Sequence, residues 1–364
     1  MPRPLLLLLA VLVLPAPGRA AVADIDDVLT PVLKRHKVPA LAGTLVTSRG
    51  PVAIAAVGVR KAGTAVQVTT ADKWHLGSET KAMTATLIGA LEERGRLKWE
   101  STLTEAFPEL AASFAPVLRK ATILHLLSHR AGLIENIPWG GIQQRGTTRQ
   151  QREAAMAMLA KAPLRFNPGA GFLYSNAGYV AAGAMAERAA GATWEELMVR
   201  MVFEPLDMRS AGFGGTGTFG RIDQPWPHLE NGRPASVNGP TADNPPVLGP
   251  AGAVHATIGD WGKFISDQLK GARGERALLR PYTYKKLHTP PAEGNYALGW
   301  IVAERDWAGG PALTHAGSNT LNYCVVWMAP RIDLAALACT NQGGPIAARA
   351  ADDAVAAMIR YHQR

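Results

Sequence analysis

In the stretch "LGSETKAM" (76–83), Ser78 stands three residues ahead of Lys81 at the point where an apolar helical pattern begins. At that spacing the two side chains share one side of a helix. Burial, together with the positive end of the helix dipole, disfavours the ammonium form of such a lysine, and a neutral amine can take the proton of a neighbouring serine. The backbone N–H of a residue at a helix start also points outward without an intrahelical partner. With ten Ser and twelve Lys in 364 residues, chance supplies S-x-x-K about 0.3 times in such a chain, so this pair alone carries little weight.

Two later motifs change that. "PGAGFLYSNAGY" (168–179) places Tyr174 two residues before Asn176, and "LTHAGSN" (313–319) contains His315, Gly317 and Ser318. A phenol at Tyr174 can relay a proton to a leaving group, and the Asn176 amide can meet the amide or ester of a substrate. A strand at His315 offers an extended edge. The N–H of Ser318 with that of Ser78 makes a two-donor oxyanion hole. Joint occurrence of all three motifs, in this order and in fitting local settings, falls well below about one per cent by chance. That argues against an N-cap beside a solvated lysine, and against a mere turn at Tyr174–Asn176. His125 and His129 have the i, i+4 spacing of zinc ligands, but "HLLSH" lacks the glutamate of H-E-x-x-H, and both read as structural hydrogen-bonders. No metal and no cofactor are expected. His75 reads as packing or rim, and the role of His255 stays open.

The elements that must hold these residues follow from pattern. An amphipathic helix over 24–37 precedes two β-rich runs, "ALAGTLVTSRG" and "PVAIAAVGVR". The Ser78 helix then carries Met83, Leu87, Ile88 and Leu91 on one face and stops at Gly95. Helical patterns run on to about 285. Thr122 caps one helix, Gly191 closes another, Thr193 and Glu196 form a capping box, and Thr257 with Asp260 opens a further helix. Strand patterns return only in "YALGWIVAE", "PALTH" and the runs around the two cysteines, before a terminal helix. Strands at both ends with helices between predict an α/β (α+β type) fold. Its antiparallel sheet is flanked by N- and C-terminal helices, with an all-helical domain inserted: 24–80, 81–285 and 286–364. A hairpin centred between Arg331 and Ile332 sets Cys324 directly opposite Cys339, which leaves both a bridge and two buried thiols open. The stretch from Pro225 to Pro250 holds seven prolines and no periodicity, the mark of a functional or disordered loop. "GFGGTGTFGR" (212–221) reads as a turn-rich loop.

Arg3, the apolar run Leu5–Leu14 and the small residues up to Ala23 form a secretory signal, 1–23, too short to span a bilayer. The expected product is periplasmic or secreted, with no membrane span. The remaining length corresponds to roughly two domains. A composition of 47% hydrophobic and 18% charged residues excludes a disordered chain. The net charge of +9 is scattered; its densest cluster, "RGTTRQQR" (145–152), reads as solvated surface. Export disfavours nucleic acid as a partner, and a small-molecule or peptide acyl substrate, including cell-wall peptide, is expected.

Taken together, the motifs resemble the serine β-lactamase and penicillin-binding DD-peptidase superfamily, in particular its class C-like branch with Tyr in the second motif. That branch includes DD-carboxypeptidases, D-aminopeptidases and family VIII esterases. "LLSHRAGL" (126–133), "FEPLDM" (203–208) and "GPAGAVHATIGDW" (249–261) also look like segments of that branch, with Arg130 and Ala131 in place of its usual pair. The resemblance implies a β-lactamase/transpeptidase-like fold and Ser78 as acylated nucleophile. It also implies Lys81 and Tyr174 as proton handlers, Asn176 as substrate contact and Ser318 as second oxyanion donor. His315 stands where β-lactamases of the branch carry Lys. An ordinary histidine titrates near pH 6.5, so the affinity for a carboxylate substrate should weaken as pH rises through that range.

Overall fold

A computed structural model of the chain describes residues 22–142, 146–239 and 241–364; residues 1–21 of the expected leader lie outside them. The strands are β1 (Ala23–Asp24), β2 (Ala40–Thr47), β3 (Gly50–Gly58), β4 (Lys73–His75) and β5 (Gly212–Phe213). They continue with β6 (Val254–Thr257), β7 (Ile301–Arg305), β8 (Gly310–Ser318), β9 (Tyr323–Ala329) and β10 (Leu334–Thr340). The helices begin with α1 (Asp26–His36), α2 (Thr80–Glu93), α3 (Leu103–Ala106), α4 (Ile123–Leu127), α5 (Thr148–Leu159) and α6 (Asn176–Ala190). After these come α7 (Trp194–Met198), α8 (Gly249–Gly252), α9 (Ile258–Ala272), α10 (Pro281–His288) and α11 (Gly344–His362).

Seven strands form one sheet in the order β1-β3-β2-β10-β9-β8-β7, antiparallel except for the β1–β3 pair. The two ends of the chain meet where β2 pairs with β10. Helices α1 and α11 cover one face and α9 packs on the other, which is why every residue of β10 is buried rather than every second one. Helix α1 has Asp26 and Asp27 in its first turn and Lys34, Arg35 and His36 in its last, the arrangement that complements the helix dipole. The β9–β10 register sets Cys324 opposite Cys339 as the sequence expects, with free thiols whose Sγ atoms are 2.8 Å apart.

Helix α2 is buried on every side, from Thr80 to Leu91. A helix with apolar packing all round is a core helix, not the one-faced amphipathic helix that its pattern suggests. This burial is what strips water from Lys81.

Three expectations need correction. The inserted segment 81–285 is mostly rather than wholly helical, because its β5 and β6 join β4 of the first segment in a second antiparallel sheet. Its strands have two to four residues, too few to show a period. "YALGWIVAE" is a strand only from Ile301; Ala297 N bonds Trp300 O at 2.7 Å and closes a turn ahead of it. In the basic cluster, Arg152 is buried between Glu187 (2.6 Å) and Glu195 (2.7 Å), tying α5 to α6 and α7. A buried guanidinium needs such partners, and two carboxylates supply them.

Candidate active site

The short β4 ends at His75, and a single 3₁₀ turn, Gly77–Glu79, leads from it into α2. Ser78 sits on that turn, half-buried, with Lys81 Nζ 3.0 Å from its Oγ. Lys81 Nζ also bonds Asn176 Oδ1 at 2.8 Å and the Ala251 carbonyl at 2.7 Å. Three of the expected residues are thus in direct contact.

The hydrogen-bond partners fix what Lys81 can do. An indole N–H only donates, and Trp139 Nε1 reaches Asn136 Oδ1 at 3.2 Å. The same oxygen receives Asn176 Nδ2 at 3.0 Å, which turns Asn176 Oδ1 toward Lys81. Two carbonyl-type oxygens therefore take two N–H groups of the amine. A neutral amine has only two, so its lone pair is left facing the Ser78 hydroxyl. Burial pushes the Lys81 pKa well below its ordinary range, against an opposing pull from Glu79. Burial likewise raises Glu79 well above the carboxylate range, against an opposing pull from Lys81. Asn136 and Trp139 were not singled out in the sequence, where "IENIPWGG" carries no motif.

Tyr174 completes the group, its hydroxyl beside Ser78 and its ring 4.8 Å from Lys81 Nζ. Burial raises its pKa above the usual phenol range, which keeps it protonated as a donor and relay. His129 holds it in place. The His129 ring stacks on Tyr174 with centroids 4.3 Å apart, and its Nδ1 accepts the Ser175 N–H at 3.0 Å. His125, by contrast, serves the Thr122 capping box at the start of α4. Among the described residues no group of His, Cys, Asp and Glu is arranged to hold a metal ion.

The opposite wall is β8. Its pairing with β7 ends at Thr314, so the edge from His315 to Ser318 faces the Ser78 turn instead of a strand. The approach is close enough to require glycine on both sides. A Cβ at Gly317 would lie 2.0 Å from the Leu76 carbonyl and 2.9 Å from Ser78 N; one at Gly77, where φ is +51°, would lie 2.3 Å from Ser318 N. Gly317→Ala should therefore wedge β8 off the turn. Overpacking of this kind costs about 1–3 kcal/mol, and an ångström of misplacement costs roughly 100-fold in rate. Chemical denaturation and kcat/KM measure the two losses; activity within about threefold of wild type would show that the contact does not set the geometry. The Ser318 hydroxyl bonds Asn322 O at 2.7 Å and shapes the turn after β8, leaving its backbone as the part that meets Gly77.

His315 is buried, with Nδ1 at 2.8 Å from Ala316 O and Nε2 at 3.3 Å from the Tyr296 hydroxyl. Burial, then the neighbouring Lys81, lower its pKa to about 3. This corrects the expected titration near pH 6.5: an imidazole packed among Tyr174 and Tyr296 has no water to stabilise its charge.

Residues 25–359 match the family model described as Beta-lactamase. The chain belongs to the beta-lactamase family. It is 27% identical to penicillin-binding protein 4 of Amycolatopsis lactamdurans over 321 residues, covering 85% of this chain and 82% of that protein. It is 35% identical to esterase EstB of Burkholderia gladioli over 153 residues, 38% of each. The fold is shared with the octameric penicillin-binding protein homologue from Pyrococcus abyssi, with a TM-score of 0.74 at 20% identity over 92% of this chain and 76% of that one. Family membership makes the protein a serine hydrolase of the beta-lactamase, penicillin-binding protein and esterase kind. No helix among the described residues is long and apolar enough to cross a membrane.

Proposed function

We propose that the protein is an exported, metal-independent serine hydrolase that cleaves small esters or peptide amides through an acyl-enzyme on Ser78. The supporting observation is the hydrogen-bond set of Lys81, which aims a neutral amine at the Ser78 hydroxyl. Lys81 takes the proton, Tyr174 passes it to the leaving group, and the amides of Ser78 and Ser318 receive the developing oxyanion. Water then releases the acyl group by the same steps in reverse. Export rests on the leader composition of 1–23, and cell fractionation tests it.

The His315 end favours uncharged leaving groups. A carboxylate placed there meets a buried imidazole and tyrosine rings. With a pKa of about 3, His315 gains charge only as pH falls through that value. Carboxylate affinity should therefore stay flat between about pH 5.5 and about pH 8, where an ordinary histidine would lose it. The expected result is turnover of a p-nitrophenyl ester at least about 100-fold faster than that of a chromogenic cephalosporin, by kcat/KM, at both pH values. Fast cephalosporin turnover, or a KM that climbs through about pH 6.5, would overturn this assignment.

A further inference from the structure

Asn319, next in the chain after Ser318, lines a cavity of about 330 Å³ between the end of β8, β4 and the Pro-rich loop. His75, Thr216, Asp243, Asn319 and Asn322 are among the residues that line it. The cavity adjoins the nucleophile turn. Gly77 N donates to His75 Nδ1 at 3.1 Å, and Asn244 Nδ2 donates to the carbonyl of Gly252, which packs on Gly77.

Asp243 is the only carboxylate in this lining. Its Oδ1 accepts Asn319 Nδ2 at 2.8 Å and stands 2.9 Å from His75 Nε2. Because the Gly77 N–H occupies His75 Nδ1, the other ring nitrogen is free to donate toward Asp243. Oδ2 is buried and has no hydrogen-bond partner among the described residues. No described lysine or arginine lies within ion-pair distance of the carboxylate. Burial works against its ionisation, but the contacts of His75, Asn319 and the Asn244 amide outweigh it and hold the carboxyl below its usual range. His255, paired with His75 across β4 and β6, is driven down to about 4 by burial and adds no cation at neutral pH. A buried carboxylate oxygen without a donor costs stability unless something else supplies one.

The two ends of the cleft are therefore unlike in charge. Tyr174 and Lys81, which handle the proton for departure, cluster with His315, so the leaving group belongs at that end. The acyl group must then extend past Ser318 toward Asn319 and Asp243. We propose that Asp243 binds a protonated amine carried on the acyl half of the substrate. An ammonium brings three donors and no acceptor, the complement of an unpartnered carboxylate oxygen. This assignment rests on the reading of Ser78 as nucleophile, and it narrows the substrates to aminoacyl esters or amides.

The test compares alanine p-nitroanilide, in both stereochemical forms, with its N-acetylated counterpart. The free amine should be preferred at least about tenfold in kcat/KM, and the preference should fall toward one in Asp243→Asn. In parallel, calorimetry on Ser78→Ala protein should show n-butylammonium binding at least about tenfold more tightly than n-butanol. That second measurement needs neither catalysis nor the Asp243 variant. Preference for the acetylated substrate, an unchanged ratio in a folded Asp243→Asn protein, or equal binding of amine and alcohol overturns the proposal. Loss of all turnover, including that of a neutral p-nitrophenyl ester, would instead count against Ser78, and the calorimetry would still decide on Asp243.

Discussion

Ser78→Ala is expected to abolish covalent labelling by a fluorophosphonate and to lower turnover of a neutral ester by at least about 10⁴-fold. The hydroxyl is the only nucleophilic atom that faces both the Lys81 amine and the Tyr174 phenol among the described residues. Its removal should leave the fold standing. Ser78 is half-buried on a 3₁₀ turn whose shape is set by its neighbours: His75 takes the Gly77 N–H, and Leu76 N bonds Val254 O at 2.9 Å. The lost hydrogen bonds are worth about 1 kcal/mol each, so melting should shift by only a few degrees. The measurements are labelling, kcat/KM and thermal unfolding on the same preparation. Appreciable turnover by a folded Ser78→Ala protein would remove the acyl-enzyme from consideration.

The chemistry was legible in the sequence to the extent that it lies in residue type and short spacing. Ser78 and Lys81 are one turn apart, Tyr174 and Asn176 flank a Ser175 N-cap, and Gly317 is a glycine because backbones touch there. The cysteine register was legible for a similar reason, since a hairpin leaves one degree of freedom and its centre fixes it. What stayed hidden depends on segments distant in the chain. Asn136 and Trp139 orient Asn176 from a loop some forty residues upstream and have no periodicity to announce them. Asp243 lies in a proline-rich stretch where pattern has nothing to say, yet it meets His75 and Asn319 across the cavity. Charge state was equally hidden. His315 and Arg152 look like ordinary surface-capable residues, and only the surrounding burial makes one neutral and forces two glutamates onto the other.

Lys81→Ala should cost about 10³-fold or more in kcat/KM on the neutral ester, because no other base reaches Ser78 Oγ among the described residues. The wild-type pH profile carries the sharper test. A base works only when unprotonated, so activity is present above the folded-state pKa of Lys81 and is lost as pH falls through it. An ordinary lysine titrates near 10.4, and a base of that kind would give a rate that climbs about tenfold per pH unit from neutrality to about pH 10. Lys81 is fully buried, burial also raises the Glu79 carboxyl well above the carboxylate range, and the Lys81 pKa lies well below that of an ordinary lysine. The profile should therefore level off before about pH 10 and decline on the acid side. His315 and His129 do not reproduce that acid limb, because burial lowers both pKa values and neither ring contacts the Ser78 hydroxyl. In Lys81→Ala the acid limb should disappear along with the rate, and small primary amines added to the buffer should restore part of the activity. They would fill the space the side chain vacated and find the same two acceptors, Asn176 Oδ1 and Ala251 O. A wild-type rate that keeps climbing tenfold per unit through about pH 10 would mean that Lys81 is charged at neutral pH, and the base would have to be sought elsewhere.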